Sequence, residues 1–212
     1  MAWSGCVRFR FRLITILGII AACAGMTWSL RVARAANAFT PGNVVIYRVG
    51  DGSGSLVNTG NPVFLDEYTP TGTLVQSIAL PTATAGANHR LIASGTATSE
   101  GLMTRSTDGQ YLLLTGYDAP IPTTGLVGTT SASVPRSVGR IDANAAIDTT
   151  TALTDFASAN NPRGVASTNG TDLWVGGAAG GVRYATTGST TSVQLRISFS
   201  SRQAKLGEGG FQ

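Results

Sequence analysis

The stretch Ser106-Thr107-Asp108-Gly109-Gln110-Tyr111-Leu112-Leu113-Leu114-Thr115-Gly116 returns 61 positions later as Ser167-Thr168-Asn169-Gly170-Thr171-Asp172-Leu173-Trp174-Val175-Gly176-Gly177. Both read S-T-[DN]-G-x-x-L-[LW]-[LV]-x-G. An Asp-Gly or Asn-Gly step ahead of a short apolar run is a strong local signal for a tight turn feeding a strand. Finding it twice, in the same company, predicts an all-β chain assembled from a repeated unit.

The flanking sequence extends this reading. After residue 39 no window keeps apolar residues at helical spacing for three turns, whereas short β-branched and aromatic runs recur between Gly, Pro, Asn, Asp and Thr clusters. Strands are predicted at Val44–Val49, Val63–Tyr68, Thr73–Leu80, His89–Ala93, Gly101–Arg105, Tyr111–Thr115, Ser137–Ile141, Ala146–Thr150, Gly164–Ser167, Asp172–Gly176, Val182–Thr186 and Ser192–Ile197. A second correspondence joins the hairpin pattern around Tyr68 and Leu74 to that around Ile141 and Ile147, 73 positions apart. One long loop absorbs the difference between the two offsets, giving a degenerate unit of roughly 60 to 75 residues made of two hairpins.

A polar D-G turn before an apolar strand, in units of four antiparallel strands, resembles secreted bacterial β-propellers of the YVTN-like kind. Ser106–Leu114 and Ser167–Val175 carry the resemblance, and Phe64–Pro81 (FLDEYTPTGTLVQSIALP) is similar to the outer hairpin of such blades. The resemblance implies a partial β-propeller-like array of antiparallel four-stranded blades over residues 39–195, with an open β-sandwich as the alternative. It implies nothing about activity. The 174 residues from Phe39 to Gln212 hold between two and three such units, and closed propellers have about four to eight blades. The expectation is therefore a truncated copy of a longer propeller protein, or else a small open sandwich with a disordered tail.

The first 38 residues read as a secretory signal peptide. Arg8, Arg10 and Arg12 precede the apolar run Leu13–Met26, and small-residue sites follow at Ala33-Arg34-Ala35 and Ala36-Asn37-Ala38. Cleavage after Ala38 leaves a chain starting at Phe39. The alternatives are an uncleaved membrane anchor and a lipid anchor on Cys23, since Ile20-Ala21-Ala22-Cys23 resembles a bacterial lipobox.

Removing this segment changes the charge. The whole chain of 212 residues is +4, but five of its 15 basic residues and none of its 11 acids precede Phe39, so the remainder is net −1. That remainder offers no basic footprint for nucleic acid. Both cysteines, Cys6 and Cys23, go with the signal, which excludes a disulfide framework, a Cys-bound zinc and a thiol nucleophile from the exported domain. Residues 196–212 form an atypical basic tail containing Lys205, the sole lysine.

Few residues point to chemistry. His89 is the only histidine, without a second His or a Cys to share a metal, and no G-x-S-x-G elbow supplies it with a nucleophile; it reads as a surface or loop residue. Asp66 and Glu67 are adjacent on one strand and so face opposite ways. Asp142-Ala143-Asn144, with Asp148 nearby, resembles part of a calcium loop but lacks the Gly and terminal Glu of the EF-hand; a turn held by side-chain to backbone bonds is the simpler reading. Asp51–Ser55 and Gly176–Gly181 lack the Lys-Ser/Thr of a phosphate cradle and read as hairpin turns. Asn169-Gly170-Thr171 fits both a glycosylation sequon and an N-G turn. Phe64, Tyr68, Tyr111, Tyr117, Trp174 and Tyr184 are expected to fill the interfaces between blades, Trp174 in the core between Leu173 and Val175.

No residue is assigned a catalytic, cofactor-binding or metal-binding role, and no cofactor is implied. The expected function is that of an exported, non-catalytic binding or structural protein, with cell-surface polysaccharide or protein as partner and self-association through open sheet edges. The alternatives are an extracellular propeller-type hydrolase or lyase, and a truncated product without independent activity.

Overall fold

The computed structural model describes residues 36–195, so the readings placed on the N-terminal signal, Cys23 and the basic tail lie outside the described residues. Twelve strands form: β1 (Val44–Val49), β2 (Gly60–Tyr68), β3 (Leu74–Ala79), β4 (Ile92–Ser94), β5 (Thr104–Arg105), β6 (Tyr111–Tyr117), β7 (Arg136–Asp142), β8 (Ile147–Leu153), β9 (Pro162–Ser167), β10 (Asp172–Gly177), β11 (Val182–Thr186) and β12 (Val193–Gln194). The fold is all-β. Every predicted strand has its counterpart: β1 and β11 keep their predicted ends, others shift by up to three residues, and the predicted end of the last strand at Ile197 lies outside the described residues. At β4, His89 and Arg90 precede the strand and their side chains turn to Asp118.

Strand pairing gives an eight-stranded antiparallel sheet and a four-stranded one; the eight-stranded sheet folds over on itself, so the strands stack as three layers, each called a sheet below. In the first, β2 lies between β1 and β3. In the middle sheet β5, β6, β7 and β8 follow one another as a meander, and in the last sheet β9 to β12 do the same. The short β4 ties the first sheet to the middle one, pairing with Gly60–Pro62 of β2 and with Tyr117 of β6.

Side-chain alternation along the strands decides how the sheets stack. Leu112, Leu114, Ile141 and Ile147 of the middle sheet face Val63, Leu65 and Ile78 of the first. Leu113 and Val138 point the other way, against Val165, Leu173, Val175 and Ala185 of the last sheet, joined by Leu153 and Phe156. The middle sheet is thus apolar on both faces, and Leu113 and Leu114 are fully buried.

The end sheets cover one face each. Trp174 corrects the sequence reading: it is half-exposed on the outer face of the last sheet, tilted against Tyr184 at 5.8 Å, while Leu173 and Val175 point inward. Phe64 likewise lies outside the core, on the outer face of the first sheet beneath the Arg48 guanidinium. Of the aromatics expected between sheets, Tyr117 is fully buried and Tyr111 packs at the junction of the middle and last sheets.

The two matching stretches take the same local form. Gly109 and Gly170 turn with φ of 73° and 76°, and the Asp108 and Asn169 side chains accept backbone N–H groups two residues on, from Gln110 and Thr171. The turns also touch. Thr107 and Asp108 donate their N–H groups to the carbonyls of Ser167 and Thr168, both at 3.0 Å. A Cβ at Gly170 would run into the Tyr111 ring, so glycine is required there by contact as well as by backbone angle.

Candidate binding site

A cavity of about 350 Å³ opens where three distant segments meet: residues 39–45, the β5–β6 hairpin and the β7–β8 turn. Phe39, Pro41, Val45, Leu112, Ile141 and Ala143 give it an apolar lining. Thr40, Asn43, Arg105, Gln110 and Asp142 add polar groups.

One wall is a strap rather than a strand, and a single carboxylate holds it. Glu67 is fully buried; its Oε1 accepts the Thr40 N–H and the Asn43 amide, both at 2.7 Å, and its Oε2 accepts the Gln76 amide at 2.7 Å. Burial opposes ionisation of this carboxyl, but the bonds from Gln76, Thr40 and Asn43 outweigh it and keep the group below its ordinary pKa. Phe39 N–H closes the strap onto Ala143 O at 2.8 Å. Asp66, on the opposite face of β2, pairs instead with Arg48 and Ser77.

The cavity's polar groups keep spare bonding capacity. Asp142 spends Oδ1 on the Asn144 and Ala146 N–H groups, holding the β7–β8 turn; its Oδ2 has no partner among the described residues. Asn43 Oδ1 and Gln110 Oε1 are similarly unengaged among the described residues, while Arg105 caps the Gly109 carbonyl through Nε and Nη2. Such an apolar hollow with a few oriented polar groups suits a small amphipathic ligand, such as one or two sugar rings or an apolar side chain of a peptide.

The other sequence candidates are dispersed. His89 Nδ1 meets Asp118 Oδ2 at 2.9 Å, and Arg90 Nε meets Asp118 Oδ1 at 2.7 Å. No Ser or Thr hydroxyl bonds to the other ring nitrogen among the described residues. Asp148 pairs with Arg140. No group of three or more His, Cys, Asp or Glu gathers among the described residues. Asp51 folds its own loop through Ser53, the Gly176–Gly181 stretch turns β10 into β11, and Asn169 Nδ2 is engaged with Asp172.

Sequence reasoning missed a buried polar cluster at the sheet junction. Arg136 is wholly buried, donating to the carbonyls of Val134 and Thr129 at 2.6 Å and of Ala157 and Asn160 at 3.2 Å, over the Tyr117 ring. Tyr117 donates to Glu100 at 2.6 Å, whose carboxyl burial pushes up in pKa. An arginine on a strand gives no sign of burial, because the carbonyls that satisfy it come from separate loops.

Compared with known protein families, curated proteins and solved structures, the chain matches none.

Proposed function

We propose that this chain is an exported, non-catalytic binding or structural protein of β-propeller-like build, holding a cell-surface polysaccharide or protein in the cavity beside Glu67. The observation that carries this reading is the cavity itself: an apolar hollow whose wall is fastened by a buried carboxylate, with polar groups left over at Asn43, Gln110 and Asp142. A ligand's apolar face would displace water from Phe39, Val45 and Leu112, while its hydroxyl or amide groups would meet the unengaged oxygens.

The propeller-like build is supported by the two four-stranded meanders, β5–β8 and β9–β12, and by the like turns that open them. Export is supported by the basic, apolar and small-residue order of the first 38 residues. Among the described residues no helix is long and apolar enough to cross a membrane. N-terminal sequencing of the protein recovered from a secreting host should begin at Phe39; retention of Met1 or an acylated Cys23 would replace release by anchoring.

The test of the site is a titration of the purified protein with neutral and acidic surface glycans and with surface-protein extracts, followed by calorimetry on any hit. Gln110→Ala, which removes a side chain held in the chain only by a 3.5 Å bond to the Asp108 carbonyl, should weaken binding about fivefold without altering the fold, consistent with losing one polar contact. Unchanged affinity in that variant would remove the cavity as the site.

A further inference from the structure

Three steps in the chain place an aspartate or asparagine directly ahead of glycine: Asp51-Gly52, Asp108-Gly109 and Asn169-Gly170. Such a step can react with itself. The glycine nitrogen, unhindered by a Cβ, attacks the side-chain Cγ and closes an imide ring; the nitrogen gives up its proton, and ammonia leaves from asparagine or water from aspartate. A water molecule then opens the ring on either side of its nitrogen. One opening gives aspartate, the other isoaspartate, with the main chain rerouted through the side chain. The reaction needs a glycine nitrogen free to surrender its proton and a Cγ free to swing onto it.

The fold denies both at the repeated turns. Gly170 is buried, its N–H donates to Ser167 Oγ at 2.8 Å, and the Tyr111 ring stands where its Cβ would lie. Asn169 Oδ1 accepts the Thr171 and Asp172 N–H groups at 2.8 and 2.9 Å, while its Nδ2 donates to Asp172 Oδ2 at 2.9 Å. Gly109 N–H donates to the Ser106 carbonyl at 2.8 Å, and Asp108 Oδ1 accepts the Ser106 hydroxyl at 2.6 Å and the Gln110 N–H at 3.1 Å. The bonds from Thr107 and Asp108 to the Ser167 and Thr168 carbonyls clamp the two turns together. Closing either imide means first opening this clamp, which is local unfolding.

Asp51-Gly52 has none of this protection. Both residues are exposed in the β1–β2 loop, and Gly52 N–H has no partner among the described residues. Gly52 stands at φ 83° with nothing within 4 Å of its Cβ position. Asp51 Oδ1 accepts the Ser53 N–H and hydroxyl, bonds inside the same exposed loop, and Oδ2 is left as the oxygen that departs. We infer that Asp51-Gly52 is the principal site of spontaneous isoaspartate formation, and that the Ser167–Gly170 bond and the clamp between the turns shield Asn169, although an Asn-Gly step is the more reactive of the two in an open chain at neutral pH.

The test is to age the full chain at neutral pH, folded and in denaturant, and to map isoaspartate with an isoaspartate methyltransferase on tryptic peptides. Cleavage after arginine puts the three steps on separate peptides, Val49–Arg90, Ser106–Arg136 and Gly164–Arg183. In the folded chain Asp51 should convert within about threefold of its denatured rate, and Asp108 and Asn169 should be slowed about 30-fold or more. Ser167→Ala, which frees the Gly170 N–H, should speed conversion at Asn169 about fivefold. Asp108 staying slow in the same sample shows the variant to be folded, and the wild-type comparison does not depend on it. Folded Asn169 converting at its denatured rate overturns the inference, as does Asp51 slowed about tenfold or more by folding. A folded Ser167→Ala variant with unchanged conversion at Asn169 overturns the role given to the Ser167 hydroxyl.

Discussion

Leu113 and Trp174 hold the same place in two matching stretches, yet Leu113 is sealed between two sheets and Trp174 stands half-open at the end of the stack. The middle sheet carries leucine on both faces because both are covered. The last sheet carries leucine and valine inward but a tryptophan outward. The same turn and strand therefore serve two environments, and the neighbouring sheet, not the local motif, decides what a position contributes.

The contrast is most sharply tested by truncation. Leu113→Ala should cost about 3 kcal/mol by opening a cavity between the middle and last sheets, whereas Trp174→Ala, measured on dilute protein, should cost less than about 1 kcal/mol. Urea unfolding of both variants decides it: equal losses would mean that the outer face of the last sheet is covered within one chain.

The strap beside the cavity depends on a charge instead of a core. Glu67→Ala leaves the Thr40, Asn43 and Gln76 donors without their acceptor, and a loss of about 2 to 3 kcal/mol is expected. A thermal melt reads the loss. Loss of ligand binding in the same variant would tie the strap to the site.

Turn chemistry gives the next smaller effect. Gly170→Ala meets both a left-handed φ and the Tyr111 ring, and should lose about 2 kcal/mol; Gly52→Ala, at φ 83° with open space around it, should lose about 1 kcal/mol. Equal losses would show that the two contacting turns are not packed as described.

The smallest effect is that of pH. Glu67, Asp66 and Asp148 are held below their ordinary values of 4.5, 3.8 and 3.8: in Glu67 and Asp148 hydrogen bonds outweigh the burial that opposes ionisation, and in Asp66 the Arg48 bond leads. Their stabilisation is present above those values and drains away as pH falls through the lower folded ones. Glu100, raised by burial, acts in the opposite sense, and acid relieves it. Asp51, Asp108 and Asp172, exposed but hydrogen-bonded, are lowered as well, so with six carboxylates against one the midpoint of urea unfolding should fall as pH drops below about 4.5, and Glu67→Gln should flatten that fall. A midpoint that rises over this range would reverse the balance.

Much of the framework was legible in local sequence, because strands and turns are written in near neighbours. Val44–Val49 and Val182–Thr186 stand where β-branched runs between turn residues put them. What failed had distant causes. The start of β4 is set by Asp118, 29 positions beyond His89. The cavity joins residues 39–45 to residues near 110 and 142, which no local window brings together. The apolar neighbours Leu173 and Val175 suggest a buried Trp174, but strict alternation sends it to the opposite face of the strand. Arg136 is held by carbonyls of four residues and by one ring, partners invisible to any pattern of side chains.

Native-state hydrogen exchange, read amide by amide, tests most directly the claim that the middle sheet is the covered heart of a three-sheet stack. Amides of Leu112–Tyr117 and Ser137–Ile141 should exchange only through global unfolding, and those of β1 and β12 fastest among the strands. Exchange in β6 and β7 as rapid as in β12 would contradict the stacking on which the rest depends.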